Sequence, residues 1–465
     1  MKQKKLTIIH TNDLHSELDQ WPYVVTKIKQ LKKEAEESGR DVLLFDIGDH
    51  ADRVNPVTDG LSGKGNVSCL NALHYDGVTI GNNEGMTFSR DQLNSLYENA
   101  EFDVLVGNLK NRDGSLPSWA KMNRIYTTAG GLKVAVFGVT VAYPLFYDAL
   151  GWNISDPFPV IEEQVRELKG KADVLVCLSH LGLHDDERMA GDFPEINIIL
   201  GSHTHHLLEN GKKVNRTWIH QCGRSGQHLG EIAVTASGPG SEASISVKTH
   251  DVNTEILKKD LKTEEMLESM KKKADEKLAE VVADLPEDWP VDWRENSPLP
   301  ALLVKGVREW CDAEAGMINA GVLLDGLKKG PVTKRRLHEI CPHPINPAKV
   351  SVSGERLLEF IREAEKEEMI EKRLKGFGFR GKILGSMVYD GIEIRHRNKV
   401  LQPEDVIVGG KPLERDRVYH IATVDMFTFG WLYPSISTLK EKEYFMPEFL
   451  RDVLAWSLSR WAQRT

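Results

Sequence analysis

Short apolar runs alternate with amphipathic segments along the first half of the chain. The runs are rich in Val, Ile and Leu, which is typical of strands buried on both faces of a parallel sheet. Segments with apolar residues at helical spacing lie between several of them, for example Tyr23–Glu37 and Val160–Leu168. This alternation predicts βα units. The predicted strands are Leu6–Ile9, Val42–Ile47, Val78–Ile80, Val104–Val106, Val134–Val141, Val174–Leu178, Ile196–Leu200, Trp218–His220 and Ile232–Thr235.

The pattern changes in the second half of the chain. Lys258–Val282 is rich in Glu, Lys, Ala and Met, with apolar residues near helical spacing, and predicts one long helix. The next segment, LPEDWPVDWRENSPLP, contains four prolines and is not expected to be regular. A second domain is expected to begin near Ser297. Its predicted helices are Leu302–Cys311 and Gly354–Lys375, and its predicted strands are Ile392–Arg395 and Tyr419–Val424.

Composition is that of a soluble globular protein and makes several function classes less favoured. A chain of 465 residues is long enough for two cores. A net charge of −9 argues against a general binder of nucleic-acid polymers. No run approaches the roughly 18 apolar residues of a membrane span, and the apolar run near the N-terminus is too short for a secretory signal. Five cysteines without a CxxC pair indicate reduced thiols and a cytoplasmic protein.

Polar side chains with metal-binding chemistry follow the ends of the predicted strands. Ligand sites in open α/β sheets lie at the carboxyl ends of the strands, so these side chains are expected to converge. Singly, each has an ordinary structural explanation, such as a turn or a helix cap. Together they form a nitrogen and oxygen ligand set that suits Mn, Fe, Co or Zn and is large enough for two ions sharing one carboxylate. The candidate ligands are Asp13, His15, Asp49, Asn82, His180, His203 and His205.

The motifs that carry these residues resemble those of a known family. "IIHTNDLH", "DIGDH", "IGNNE", "LSHLG" and "LGSHTH" occur in the order seen in calcineurin-like metallophosphoesterases of the 5′-nucleotidase branch. That branch has DxH, GD, GNHE, a lone His and GHTH. The resemblance implies an α/β fold: a four-layer α+β sandwich as the catalytic domain (1–256), a linker helix (257–290) and a smaller α+β C-terminal substrate-binding domain (291–465).

The resemblance also implies roles for the metal ligands. Asp13, His15 and His205 would bind one divalent ion, the other group would bind a second, and Asp49 would bridge them. The second group is Asn82, His180 and His203. The implied activity is hydrolysis of a small phosphate substrate, expected to be a nucleotide, by attack of metal hydroxide on phosphorus.

The chain departs from the family pattern beside the metal ligands. Asn83 stands where the family has a histidine, and Met86 stands where it has the aspartate that supports this histidine. The family histidine is thought to stabilise phosphoryl charge or assist the leaving group, and losing such a donor can cost about 10²–10³ in rate. His50 and His184 are the candidates for a substitute acid.

The second domain matches the nucleotide-binding half of the family in outline only. Asn319 and Gly321 match, whereas Leu323 replaces an arginine that contacts phosphate and His343 replaces an aromatic residue. The domain is either retained for folding or rebuilt for another substrate. The aromatic residues that could form a stacking platform are Phe429, Trp431 and Tyr433, and the cations that could replace the arginine are Arg294, Lys334, Arg335 and Arg336.

Two hypotheses therefore follow from the sequence. The first is a dimetal phosphohydrolase, which the intact set of seven ligands favours. The second is a catalytically weak metal-binding or regulatory protein, which the changes at Asn83, Met86 and Leu323 suggest. The sequence gives no indication of the oligomeric state.

Overall fold

The computed structural model describes residues 4–236, 243–376, 378–395 and 400–464. The chain divides into two compact units, Met1–Ala274 and Asp275–Thr465. The boundary falls inside the long charged helix, which extends over Leu261–Leu278 and confirms the central part of the predicted one. The prediction is wrong at the C-terminal end of the linker helix (257–290), because Val281–Leu285 is a strand. Among the described residues, no helix combines the length and the apolar character needed to cross a membrane.

The first unit contains most of the strands. They are β1 (Lys4–Thr11), β2 (Asp41–Asp46), β3 (Gly77–Val78), β4 (Asp103–Leu105), β5 (Leu109–Asn111), β6 (Ala120–Lys121), β7 (Asn123–Thr127), β8 (Lys133–Thr140), β9 (Trp152–Ile154), β10 (Val174–His180), β11 (Ile198–Gly201), β12 (Lys212–Val214), β13 (Thr217–His220), β14 (His228–Ala236) and β15 (Ser244–Asp251). The helices are α1 (Trp21–Glu37), α2 (Pro56–Gly60), α3 (Lys64–Asn71), α4 (Asn82–Thr87), α5 (Arg90–Leu96), α6 (Pro144–Ala149), α7 (Pro157–Leu168), α8 (Leu183–Asp192) and α9 (Leu261–Leu278), which crosses the boundary.

Two sheets face each other in this unit. One has the strand order β15-β14-β1-β2-β3-β4-β6 and the other β12-β13-β11-β10-β8-β7. Apolar residues of both sheets share one buried cluster, for example Ile8 and Phe45 from the first and Val136 and Leu178 from the second. Helix α1 packs on β1 and β2, and α7 and α8 pack on the other sheet. The predicted four-layer sandwich is therefore confirmed.

Parallel pairing brings the candidate ligands to one edge of each sheet. β1 pairs in parallel with β2, and β2 with β3, so their carboxyl ends lie side by side. In the second sheet β10 lies parallel to both β8 and β11. The loops that follow β1, β2, β3, β10 and β11 carry the residues singled out by the sequence.

The second unit is an α+β unit built around a five-stranded sheet of order β20-β17-β24-β19-β25. Its strands are β16 (Val281–Leu285), β17 (Ala315–Asn319), β18 (Gly330–Thr333), β19 (Pro347–Ser353), β20 (Met387–Asp390), β21 (Ile392–Ile394), β22 (Val406–Val408), β23 (Lys411–Pro412), β24 (Val418–Val424) and β25 (Lys442–Tyr444). Its α-helices are α10 (Pro298–Trp310), α11 (Lys334–Ile340), α12 (Gly354–Ala364), α13 (Glu367–Ile370), α14 (Pro434–Ser437) and α15 (Leu450–Ala462), and single 3₁₀ turns cover Ala320–Val322, Pro403–Asp405 and Asp425–Phe427.

One helix prediction in this unit is wrong. The segment Gly354–Lys375 is not a single helix, because α12 ends at Ala364 and a separate short helix, α13, follows. Glu363, Glu367 and Glu371 are spaced four residues apart, and such like-charge pairs destabilise a continuous helix. The proline-rich segment is irregular over 286–297 apart from an isolated bridge between Trp289 and Leu327. Its first residue, Leu285, ends β16, and its last three residues begin α10.

Candidate metal centre

The candidate ligands lie on tight loops whose backbone is unusual. Asp13 and His15 follow β1, Asp49 follows β2, Asn82 begins α4, and His180 ends β10. Five of the seven candidates have φ values between 49° and 71°: Asp13, His15, Asp49, His203 and His205. Residues other than glycine adopt this left-handed region at a cost of about 1–3 kcal/mol each, and such strain is concentrated at functional sites.

The ligand atoms of Asp13, His15 and His205 lie within 4 Å of one another. The Nε2 atoms of His15 and His205 are 3.0 Å apart. Asp13 Oδ1 lies 3.8 Å from His15 Nε2 and 3.5 Å from His205 Nε2. A carboxylate and two imidazole nitrogens at these spacings can bind one divalent ion.

A second group of ligand atoms lies beside the first. Asp49 Oδ2 is 3.5 Å from His180 Nε2 and 3.8 Å from His15 Nε2, so it faces both groups. Asn82 Oδ1 is 2.9 Å from His203 Nδ1. The rings of His180 and His203 are 5.3 Å apart. All seven side chains that the sequence singled out are therefore brought together.

His180 is prepared to act as a ligand. Its Nδ1 lies 2.7 Å from the carbonyl oxygen of Ile47, to which it can donate, and 2.7 Å from Ser202 Oγ. Its Nε2 is buried and makes no hydrogen bond to any residue that the structure describes. A buried imidazole nitrogen that has no hydrogen-bond partner and faces a carboxylate is well placed to bind a metal ion.

The electrostatics of the site favour a cation. Burial alone would lower the pKa of His180, but Asp49 and Asp13 raise it to about 10. Burial likewise opposes the charged form of His15, whereas Asp52, Asp49 and Asp13 raise its pKa to about 9. The same carboxylates that favour an imidazolium would favour a divalent ion, and the residues present therefore fit such a group.

Glu84 supports the site, and the sequence analysis did not single it out. It is 2% exposed, and its carboxylate accepts hydrogen bonds from the backbone N–H groups of Gly81, Asp49 and Ala51 at 2.8–2.9 Å. Burial, and then the charge of Asp49, raise its pKa to about 7. The motif "IGNNE" contained this residue, but only the fold shows that it joins the loop after β2 to the start of α4.

Two further residues contact candidate ligands without any sequence signal. Asn12 Nδ2 donates to Asp13 Oδ2 at 2.8 Å. The hydroxyl of Tyr143, which immediately precedes α6, is 3.4 Å from His203 Nε2. Tyr143 as a whole is 37% exposed.

The candidates for proton transfer are placed differently from one another. The Asn83 amide nitrogen is 2.8 Å from His15 Nδ1, so it contacts a candidate metal ligand. His50 is buried with its ring 5.0 Å from that of Trp21, and burial lowers its pKa to about 3. A histidine with that pKa is a neutral imidazole near neutral pH and therefore a poor general acid, which argues against His50 as a substitute acid. His184 is exposed in the first turn of α8.

The candidate substrate residues of the second unit do not share one surface. Asn319 is buried and donates through Nδ2 to the carbonyl of Leu384 at 2.8 Å. Gly321 packs so closely that a Cβ there would lie 2.1 Å from the carbonyl oxygen of Ile383. Trp431 is 62% exposed, whereas Tyr433 is 2% exposed. The ring of Tyr433 packs against those of Phe360 and Phe427, and Phe429 lies partly buried against the same core.

The other residues noted in the second unit are internal or paired. Leu323 and His343 have no exposed surface. His343 stacks on Phe379 and accepts a hydrogen bond at Nδ1 from the backbone of Arg380. Each of the four candidate cations forms an ion pair: Arg294 with Glu371, Lys334 with Glu280, Arg335 with Asp275, and Arg336 with Asp325.

The fold and the site define a metal-dependent phosphoric ester hydrolase. Residues 6–207 match the calcineurin-like phosphoesterase family, and residues 280–431 match the 5′-nucleotidase C-terminal domain. The chain belongs to the calcineurin-like metallophosphoesterases that carry a 5′-nucleotidase C-terminal domain.

One sequence relative matches nearly the whole chain, and others match part of it. An uncharacterized metallophosphoesterase of Bacillus subtilis, YunD, is 45% identical over 98% of this chain and 100% of its own length. The 5′-nucleotidase of Rattus norvegicus is 27% identical over 45% of this chain and 39% of its own length. Among solved structures, Haemophilus influenzae NAD nucleotidase has a TM-score of 0.68 at 16% identity, covering 100% of this chain and 97% of that one. A 5′-nucleotidase precursor from Thermus thermophilus has a TM-score of 0.60 at 17% identity, covering 98% and 97%.

Proposed function

We propose that this chain is a dimetal phosphohydrolase that acts on nucleotides or on related phosphate esters and anhydrides. The observation that carries the proposal is the position of Asp49, whose Oδ2 faces His15 Nε2 at 3.8 Å and His180 Nε2 at 3.5 Å. A carboxylate between two ligand groups suits a pair of ions. The nucleotide substrate is supported by relatives and fold neighbours named as nucleotidases.

The candidate ligands form two groups, one for each ion. Asp13, His15 and His205 would hold one ion, while Asn82, His180 and His203 would hold the other. Divalent ions at this site, with Mn, Zn, Fe or Co as candidates, would polarise the phosphoryl oxygens and acidify a water molecule. His180 keeps Nε2 directed at the site because Nδ1 is satisfied by the Ile47 carbonyl.

The proposed substrate preference follows from the missing donor. Asn83 has no charge and its amide faces His15, so we expect little protonation of the leaving group from this position. Esters and anhydrides with stable leaving groups should therefore react faster than plain nucleoside monophosphates. His184 is the remaining histidine candidate for a substitute acid.

We also propose a cytoplasmic location. All five cysteines are buried free thiols, which is typical of a reducing compartment. Fractionation of cells that express the protein from its own gene, with thiol labelling after denaturation, tests this. A protein recovered outside the cell would contradict the proposal.

A second candidate function is a catalytically weak metal-binding or regulatory protein. The observation that favours it is the same Asn83 amide, which contacts a candidate ligand at 2.8 Å and so leaves the family's donor position without a charged group. This protein would bind two ions without hydrolysing any ester or anhydride.

The test measures metal content and turnover together. We expect two Mn²⁺ ions per chain by elemental analysis and hydrolysis of ADP or an aryl phosphate. Asp49→Asn should weaken the binding of both ions, because one carboxylate oxygen faces both ligand groups. Asp19→Asn, a change to an exposed carboxylate between His15 and α1, is the control. A stoichiometry of one ion in the parent would refute the dimetal proposal, and two ions without turnover would favour the second candidate.

A further inference from the structure

Asp52 is a buried carboxylate beside the centre that no motif includes. It is 6% exposed, and its Oδ2 lies 3.4 Å from His15 Nδ1. Its backbone N–H donates to Ser16 Oγ at 2.8 Å, and its Oδ1 accepts from the backbone N–H of Val54 at 2.9 Å. The first bond holds the backbone and the second holds the carboxylate, whose Oδ2 faces His15 at Nδ1, the ring nitrogen that is not directed at His205.

Asn83 completes a triangle with these two residues. Its Nδ2 is 2.8 Å from His15 Nδ1 and 3.4 Å from Asp52 Oδ2. An amide nitrogen only donates, so this contact is a hydrogen bond only in the tautomer of His15 that has no proton on Nδ1 and carries the ring proton on Nε2, 3.0 Å from His205 Nε2.

A bound ion would demand the opposite tautomer. His15 Nε2 must offer its lone pair to the metal, so the ring proton moves to Nδ1, which becomes a donor. A protonated Nδ1 cannot donate to the Asn83 amide nitrogen, because that nitrogen is itself a donor. It can donate to Asp52 Oδ2, which lies 3.4 Å away. The amide can keep donating to Asp52, or it can rotate and offer its own oxygen to Nδ1.

We propose that Asp52 and Asn83 are positioning residues for His15. Asp52 accepts the Nδ1 proton and thereby selects the tautomer whose Nε2 binds the ion, and the Asn83 amide holds the carboxylate and the imidazole in place. This inference rests on the proposed dimetal function. It gives Asn83 a role in positioning the metal-binding residue His15 instead of a role in contacting the substrate.

The main test is a calorimetric titration of metal-free protein with Mn²⁺. The parent should show two binding steps. Asp52→Asn and Asp52→Ala should weaken one step by about 10–100-fold, the loss expected when the partner of a metal-binding histidine is removed. Ala should have the larger effect, because the Asn oxygen can still accept. Asp19→Asn is the matched control and should bind as the parent does.

Two readouts separate positioning from a merely structural role. The thermal midpoint of the metal-free Asp52→Asn protein should stay within about 2 °C of that of the parent. In ¹⁵N-histidine spectra of Zn²⁺-loaded protein, the parent should show His15 protonated at Nδ1, and Asp52→Ala should show that signal shifted or divided.

The outcomes are distinct. Unchanged Mn²⁺ affinity in both Asp52 variants would overturn the inference and leave the dimetal function standing. Loss of both binding steps together with a lower midpoint of the metal-free protein would also overturn it, in favour of a folding role for Asp52. A parent that binds no Mn²⁺ would refute the proposed function itself.

Discussion

At the scale of single residues, Asn83 is where the motif "IGNNE" departs from the family pattern that it resembles. Its backbone N–H donates to Asp49 Oδ1 at 2.8 Å, which a residue of any type could do. Its side chain, in contrast, contacts His15 Nδ1 and carries no charge toward a substrate. We therefore expect the asparagine to reduce assistance to the leaving group, in addition to its proposed role in positioning His15.

The first prediction concerns the dependence of rate on the leaving group. For the Mn²⁺-loaded parent we expect kcat/KM to fall steeply as the leaving group becomes more basic, because a sugar alkoxide needs protonation and an aryl oxide does not. Asn83→His should flatten this dependence and raise activity on AMP by about 10–100-fold. The measurement is a series of phosphate esters of graded leaving-group pKa.

A parent that cleaves AMP as fast as ADP or an aryl ester would contradict this prediction. His184→Ala would then show whether that exposed histidine supplies the proton, since it is the candidate that keeps access to solvent. The matched His50→Ala variant should leave the profile unchanged, because His50 is buried and its pKa is lowered to about 3.

The sequence identifies the ligands better than it identifies their partners. Asp13 and His15 could be found because they follow an apolar strand in a motif. Asp52 and Glu84 could not, because their roles depend on contacts across 31–37 residues of sequence that only the folded loops create. Carboxylates in loops are common, and no local pattern marks one that faces a histidine from behind.

At the scale of elements, the loop after β2 and the start of α4 pack without room for side chains. Gly48 has φ +84°, and a Cβ on it would lie 2.4 Å from the backbone nitrogen of Gly81. A Cβ on Gly81 would lie 2.0 Å from Asp49 Oδ1. The two glycines thus allow the shared carboxylate to lie directly against the next loop.

The second prediction follows from this close approach. Gly81→Ala should displace the Asp49 carboxylate and weaken both Mn²⁺ binding steps by at least about tenfold, because this carboxylate faces both ligand groups. Gly191→Ala is the control, since among the described residues only its chain neighbours and its own helix backbone come within 4 Å of the added Cβ, and Gly191 is exposed in α8. Equal Mn²⁺ affinity in Gly81→Ala and the parent would show that the loop can move without cost.

Long, periodic elements were predictable, and short ones were not. The predicted strands of the two main sheets (β1–β4, β8, β10, β11, β13 and β14) and helices α1 and α7 follow from apolar spacing, whereas β7, β12 and β15 of the same sheets were not predicted. The short helices α2–α6 and strands β5, β6 and β9 have no clear periodicity, since tertiary contacts decide their conformation. One such element, α6, follows Tyr143 and places that hydroxyl beside His203.

At the scale of the whole molecule, the second unit contains a buried acid that should make stability depend on pH. Asp425 lies in the core, and burial raises its pKa to about 7. The folded state therefore holds an extra proton between about pH 4 and 7, so the free energy of unfolding should fall as pH rises through this window and level off above it. The total loss is of the order of a few kcal/mol.

Asp425→Asn tests this dependence. The variant cannot ionise, so its urea midpoint should change less between pH 5 and 8 than that of the parent. The comparison concerns the slope with pH, because the amide itself can shift stability equally at every pH. Asp416→Asn, at an exposed position of the same unit, should keep the slope of the parent. Identical slopes for Asp425→Asn and the parent would show that Asp425 does not titrate in this range.

The last prediction concerns how the second unit contributes to substrate choice. The family's substrate positions are internal here, since Leu323 and His343 have no exposed surface, while Trp431 presents 62% of its surface to solvent. Lys372 Nζ lies 5.1 Å from the centre of the Trp431 ring, which favours one orientation of the indole. An exposed, oriented ring is suited to stack on a nucleobase, and such a contact contributes about 0.5–1.5 kcal/mol.

Trp431→Ala should therefore raise KM for a nucleoside diphosphate by about 2- to 10-fold and leave kcat nearly unchanged. KM for a small aryl phosphate without a base should not change, because the chemistry of the metal centre is untouched. Val418→Ala, another exposed apolar position of this unit, is the control and should affect neither substrate. If Trp431→Ala raises KM equally for both substrates, the indole supports folding of the unit. If KM for the nucleotide is unchanged, the base binds elsewhere.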